Sequence, residues 1–301
     1  MKFYTKQHKY YCGIDLHTSK MYLCILNQEG AVVLHRNITT KPEAFLRATK
    51  PYRDDMVVCA ECMFTWYWLA DLCALESIPF VLGHALYMRA IHGGKSKNDK
   101  IDSRKIAGLL RGGLIPMAYT YPKKMRATRD LLRRRNHFMR KRAELLAHIQ
   151  NTASQYNLAP MGKISRPSKR KNICSYFSDP SVKLSISANL QMIESYDLTI
   201  AMMEKEIIAS AKEHDQVSYA LLKTIPGIGK IIGLDLLYEI ENISRFPRVQ
   251  DFGVSCLAYL HHIADLSNAQ KSQMGKGMAH LIKRLATPIY DGHFLKQLNS
   301  F

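Results

Sequence analysis

Tyr10-Tyr11-Cys12-Gly13-Ile14-Asp15-Leu16, then His17-Thr18-Ser19, then Met21-Tyr22-Leu23-Cys24-Ile25-Leu26 reads as a strand, a tight turn and a second strand. A further turn at Gln28-Glu29-Gly30 leads to a third strand over 31–36, so the chain opens with an antiparallel meander. A polar helix near 41–49 follows, then an apolar strand at 56–62, a helix over 66–75 and a strand at 79–83. Strands alternating with helices predict an α/β layered fold. A helix over about 99–110 should end at Gly112-Gly113, because glycine readily takes the backbone conformation that stops a helix.

Four acids fall at informative places in this pattern. Asp15 lies in the first strand, Glu61 ends the fourth, and Asp99 and Asp102 stand three residues apart, on one helix face. Carboxylates carried by separate elements can converge, and their hard oxygens suit Mg²⁺. Paired ions about 4 Å apart can stabilise both the attacking and the leaving oxygen of a phosphoryl transfer. Taken singly, each acid is equally well a cap or a surface residue. Taken with the element order, they predict a ribonuclease-H-like domain with Asp15, Glu61, Asp99 and Asp102 as metal ligands. The same opening could start an actin-like sugar kinase, but that fold needs a second Gly-rich phosphate loop, and the sequence has none.

The composition agrees with a polyanion as partner. The 301 residues carry 43 Lys and Arg against 25 Asp and Glu, a formal charge of +18. A membrane-bound reading fails because the longest apolar runs are only strand-sized. Met1-Lys2-Phe3-Tyr4-Thr5-Lys6 is not followed by an apolar segment, so no secretory signal is expected and the protein should stay in the cytoplasm. Seven scattered cysteines do not make a disulfide framework. The pair Cys59 and Cys62 is expected to pack in the core.

Residues 123–152 lack Gly and Pro and should form one long helix. It carries Arg126, Arg129, Arg133, Arg134, Arg135, Arg140, Lys141 and Arg142 with Asp130 the only acid among them, which predicts a phosphate-binding stripe. The Pro-, Ser- and Lys-rich stretch 159–172 reads as a basic loop rather than a packed element. A second long helix over 180–212 places Leu190, Ile193, Tyr196, Ile200, Met203 and Ile207 on one face. Two such helices suggest a hairpin or coiled-coil arm. Beyond a boundary near 215, Pro226-Gly227-Ile228-Gly229-Lys230 resembles a helix-hairpin-helix motif, whose exposed N–H groups at Gly227 and Gly229, with Lys230, can hold a phosphate. An ordinary helix-turn-helix core contact is the other reading of this turn.

The whole order of parts resembles the DEDD-type insertion-sequence transposases, the bridge-RNA-guided recombinases related to pilin-gene invertases. The resemblance rests on Gly13-Ile14-Asp15-Leu16-His17, Glu61, Lys97-Asn98-Asp99-Lys100-Ile101-Asp102-Ser103-Arg104-Lys105-Ile106-Ala107, Ile225-Pro226-Gly227-Ile228-Gly229 and Ile243-Ser244-Arg245-Phe246, and spans about residues 9–260. It implies a RuvC-like catalytic domain over 1–120, a basic coiled-coil arm over 121–215 and a mainly helical C-terminal transposase domain over 216–301. It also implies DNA and a guide RNA as partners, Mg²⁺ as cofactor, a homodimer or homotetramer, and a serine that attacks the DNA phosphate. Ser267 is the matching position, with Ser272 and Ser255 as weaker candidates. The sequence departs from the family here, since the glycines that usually follow the serine are absent after Ser267 and the tail 289–301 is short and atypical. Two other readings stay open: a DNA- or RNA-binding remnant without activity, and a RuvC-like nuclease or junction resolvase that uses only the acidic site and water.

Overall fold

The computed structural model describes residues 2–92, 99–212, 216–224 and 228–246. The chain forms two compact units, Met1–Lys123 and Lys124–Phe301.

The first unit is built on a five-stranded sheet in the order β3-β2-β1-β4-β5. Its strands are β1 (Tyr10–Leu16), β2 (Lys20–Asn27), β3 (Val32–Thr39), β4 (Met56–Glu61) and β5 (Phe80–Gly83). Strands β1 to β3 form the expected antiparallel meander, while β4 and β5 run parallel to β1. The α/β reading is borne out.

Helices cover both faces of the sheet centre, and strand parity decides which side chain meets which layer. Cys12, Ile14, Leu16, Met21, Leu23, Ile25, Val58 and Ala60 pack on one face with Phe45 of α1 (Pro42–Thr49) and with Leu69 and Cys73 of α2 (Tyr67–Leu75). Tyr11, Val57, Cys59 and Val81 pack on the other. There they meet Met88 of α3 (Ala85–His92) and Ile106 and Leu110 of α4 (Asp99–Arg111). Helix α3 has no counterpart in the sequence reading. Helix α4 ends as foreseen, with Gly113 at φ 68°.

Helix α4 sits unusually close to β1 because Gly13 has no side chain. A Cβ at Gly13 would lie 2.3 Å from the Ala107 backbone nitrogen and 2.4 Å from the Ser103 carbonyl oxygen. Glycine here serves a close backbone approach rather than a turn.

The second unit contains two 33-residue helices, α5 (Lys123–Gln155) and α6 (Pro180–Lys212). Their side-chain contacts run in opposite chain directions: Arg135 meets Glu204, Arg142 meets Asp197, and His148 meets Asn189. The helices are therefore antiparallel. Ile149 and Ile193, both fully buried, belong to the core between them. Burying each such side chain is worth about 1.5–3 kcal/mol. The face foreseen on α6 is the inward one, with Ile193, Ile200 and Ile207 buried.

The connection 159–172 corrects the expectation of an unpacked loop. Ile164 and, just beyond it, Ile173 and Phe177 are buried against α5 and α6. Arg170 is 4% exposed. Its guanidinium donates to the Ile164 and Ser165 carbonyls and pairs with Asp197 at 2.7 Å. A second core joins Met125 and Leu132 of α5 and Ile207 of α6 to Leu222 of α7 (Gln216–Lys223) and Leu234, Leu236 and Leu237 of α8 (Lys230–Ile240). Among the described residues no helix is long and apolar enough to cross a membrane.

Candidate functional site

Parity and register put Asp15 and Glu61 on one face of the sheet, and Asp15 groups with His17 and Asp99. Tyr11, Gly13 and Asp15 alternate onto the face of the sheet that α4 covers, and so do Val57, Cys59 and Glu61. The last pair in register between the two parallel strands is Ile14 with Ala60. Asp15 and Glu61 are the next residues along, at the same level on neighbouring strands and at their carboxyl ends. In α/β sheets, ligands commonly bind outside the carboxyl ends of the parallel strands.

Helix α4 supplies the other two acids in its first turn. Both the Asp99 and Asp102 charges act on Asp15. Burial pushes the Asp15 carboxyl above its ordinary pKa; His17 pulls it back, while Asp99 and Asp102 push it further up, and the net shift is upward. Repulsion among acids on a half-buried site is what a divalent cation relieves. Asp102 also pairs with Lys105 at 3.6 Å.

His17 was not foreseen as part of this group. Its Nε2 lies 3.3 Å from Asp15 Oδ1 and 3.7 Å from Asp99 Oδ1. The ligand atoms of Asp15, His17 and Asp99 all lie within 4.8 Å of one another. Two carboxylates and an imidazole at that spacing suit a divalent cation. The signal was available in the sequence, because a residue two places past Asp15 in an extended strand returns to the same face.

Beside α4 a cleft of about 650 Å³ is lined by Val32 and His35 of β3 and by Lys100, Ile101, Arg104 and Lys105. His35 Nε2 lies 2.9 Å from the Lys100 carbonyl oxygen, which ties the edge strand to the helix. The expectation that Cys59 and Cys62 pack together in the core holds for Cys59 alone. Cys62 is exposed, because β4 ends at Glu61 and the chain turns outward.

The basic helix differs from its sequence reading. Acids absent from α5 itself arrive from other helices of the same unit. Arg129 Nη2 and Arg133 Nε each donate to Glu239 of α8 at 2.9 Å. Arg135 pairs with Glu204 and Arg142 with Asp197 at 2.6 Å, while Lys141 pairs within α5 itself, with Glu144 at 2.8 Å. Arg126 is 6% exposed. Arg134 and Arg140 are exposed on the helix surface.

Burial alone would raise the Glu239 carboxyl, but the Arg133 hydrogen bond and the Arg129 and Arg133 charges outweigh it and hold the carboxyl below its ordinary range. Asn136 Nδ2 donates to Asp235 Oδ1 at 3.1 Å in the same buried layer.

Gly229 is the N-cap of α8 and Lys230 its first residue, both exposed. Gly227, Ser255, Ser267, Ser272 and the tail 289–301 lie outside the described residues.

Comparison with known proteins bears directly on this arrangement. The IS110-type DEDD transposase family model matches residues 12–158, a stretch that includes Asp15, Glu61, Asp99 and Asp102. The IS116/IS110/IS902 transposase family model matches residues 219–272, which include Lys230 and Ser267. No curated protein matches the chain. With both models matched in order along it, the chain belongs to the IS110-type family of insertion-sequence transposases.

Proposed function

We propose that the protein cuts and rejoins DNA strands with Mg²⁺ held by Asp15, Glu61, Asp99 and Asp102, with His17 beside them, and with Ser267 as nucleophile. The observation that carries the reading is the convergence of Asp15 and its neighbours: two parallel strand ends and the first turn of α4 deliver acids to one face, and Asp15 feels both Asp99 and Asp102. When bound, Mg²⁺ supplies positive charge against the oxygens of a transferring phosphoryl group.

The residues have separate tasks. Asp15 and Glu61 are fixed by the sheet and set one side of the site; Asp99 and Asp102 come with α4 and set the other. His17 adds an imidazole nitrogen to the same group, 3.3 Å from Asp15 and 3.7 Å from Asp99. The Ser267 hydroxyl attacks a DNA phosphate, an Oγ–P bond forms, a phosphate–sugar bond breaks, and the leaving sugar oxygen takes a proton. The phosphoserine keeps the phosphodiester energy for rejoining to a second strand hydroxyl.

Nucleic acid would be gripped by Arg134, Arg140 and Lys230, with Arg126, Arg129, Arg133, Arg135, Lys141 and Arg142 shaping and charging the same region of the second unit. A guide RNA, a coiled-coil arm between a RuvC-like part and a C-terminal transposase part, a helix-hairpin-helix turn at Gly227 and Gly229, and assembly as a dimer or tetramer complete the proposal.

Trapping tests it. A covalent protein–DNA adduct that disappears in Ser267→Ala is the expected result. Mg²⁺-dependent cutting with no adduct assigns a nuclease that uses water, and salt-sensitive binding with no cutting assigns a binding remnant.

A further inference from the structure

The turn that follows Glu61 presents three exposed side chains in succession, Cys62, Met63 and Phe64, at the carboxyl end of β4. Phe64 is 79% exposed and Met63 49%. Lone exposed apolar residues are ordinary, so exposure by itself carries no argument. The turn, however, is held firmly. The Cys62 N–H donates to the Gly83 carbonyl and the Met63 N–H to the Glu61 carbonyl, both at 2.8 Å. The Thr65 hydroxyl donates to the Leu16 carbonyl at 3.1 Å, and Trp66 is buried directly after it. These bonds fasten the turn to the ends of β5 and β1, the latter bearing Asp15 with His17 just beyond it. A turn that carries an exposed aromatic ring is thus fixed three residues from one acid and bonded through Thr65 to the strand end that bears another.

We infer that Phe64, with Met63 beside it, is a positioning residue that stacks on an unpaired DNA base next to the phosphate held at the acidic site. A base has a flat apolar face that a Phe ring matches whatever the sequence, and proteins wedge Phe and Met side chains between bases to hold a strand open. The strongly basic chain attracts the backbone, while an uncharged ring supplies what phosphate contacts lack: a contact with the base itself. The inference rests on the proposed acidic site for its location, but its chemistry can be measured separately.

The test uses the full chain and a DNA oligonucleotide, single-stranded and as duplex, with 2-aminopurine in place of adenine. Binding to the single strand should change the 2-aminopurine fluorescence. Phe64→Ala should bind about 5- to 150-fold more weakly and lose that change. Phe64→Trp should restore both, and Phe64→Leu should restore neither. Melting followed by circular dichroism should be the same for all, since the ring is exposed.

The inference is overturned if the parent chain gives no fluorescence change, if Phe64→Ala binds the DNA single strand as tightly as the parent, or if Phe64→Leu matches Phe64→Trp. Glu61→Gln separates the two readings. A stacking response that persists while Mg²⁺-dependent cutting is lost supports both. Cutting that needs Glu61 but ignores Phe64 removes the stacking role alone, and stacking without any cutting supports the stacking role while removing the acidic-site reading.

Discussion

Gly13→Ala is the sharpest test of how the acidic site is assembled. The new methyl would sit 2.3 Å from the Ala107 nitrogen, 2.4 Å from the Ser103 oxygen and 2.9 Å from the Ala107 Cα, all of them backbone atoms of α4. Ordinary contact needs about 3.5 Å, so the helix must retreat from β1 by roughly 1 Å or more. Overpacking of this kind costs about 1–3 kcal/mol, and backbone on the opposing side puts the effect at the upper end. Alanine recovers about 0.4–1 kcal/mol by stiffening the unfolded chain. A net loss of about 2 kcal/mol is expected.

Urea unfolding followed by tryptophan fluorescence reads it cleanly, because both tryptophans, Trp66 and Trp68, belong to the first unit. Gly108→Ala is the control: it lies in the same helix with nothing within 4 Å of its Cβ and should gain up to about 1 kcal/mol. Divalent-cation affinity should fall in Gly13→Ala and hold in Gly108→Ala. Equal unfolding midpoints for Gly13→Ala and the parent would refute the close approach, and unchanged cation affinity would refute its link to the site.

Asp15→Asn should weaken divalent-cation binding at least about 10-fold by calorimetry. Without cation it should raise the stability of the first unit: a carboxyl whose folded pKa lies above its unfolded one costs stability as pH climbs through that interval, and the amide removes the cost. Glu239 has the opposite sign. Its folded carboxyl is held low, so its contribution is present above the ordinary carboxylate range and is lost as pH falls through the lowered value; Glu239→Gln should flatten the acid limb of a stability–pH curve measured by circular dichroism. Asp197→Ala removes the partner of the buried Arg170 and of Arg142, and should cost the second unit about 3 kcal/mol in urea unfolding.

Local patterns made much of this legible. The five strands fall within a few residues of their sequence-based bounds because short apolar runs, closed by turn residues, leave few alternatives. The 33-residue helices were equally open to view, since no Gly or Pro interrupts them. What depended on distant residues stayed hidden. The partners of Arg129, Arg135 and Arg142 lie 110, 69 and 55 positions away, so α5 looked like an unopposed cationic stripe. The stretch 159–172 looked loose because its composition is polar, while a few apolar anchors and one buried arginine pin it down. His17 required thinking of β1 as continuing past its last apolar residue.

The acidic group is divided along the chain. Asp15 and Glu61 belong to strands that pair with each other, whereas Asp99 and Asp102 arrive on a helix encoded some distance later, docked through a contact only glycine permits. A nascent chain that has formed its first four strands therefore owns two of the four acids. The group is complete only once the last layer of the first unit has closed, so its assembly reports on the docking of a helix and not on the sheet alone.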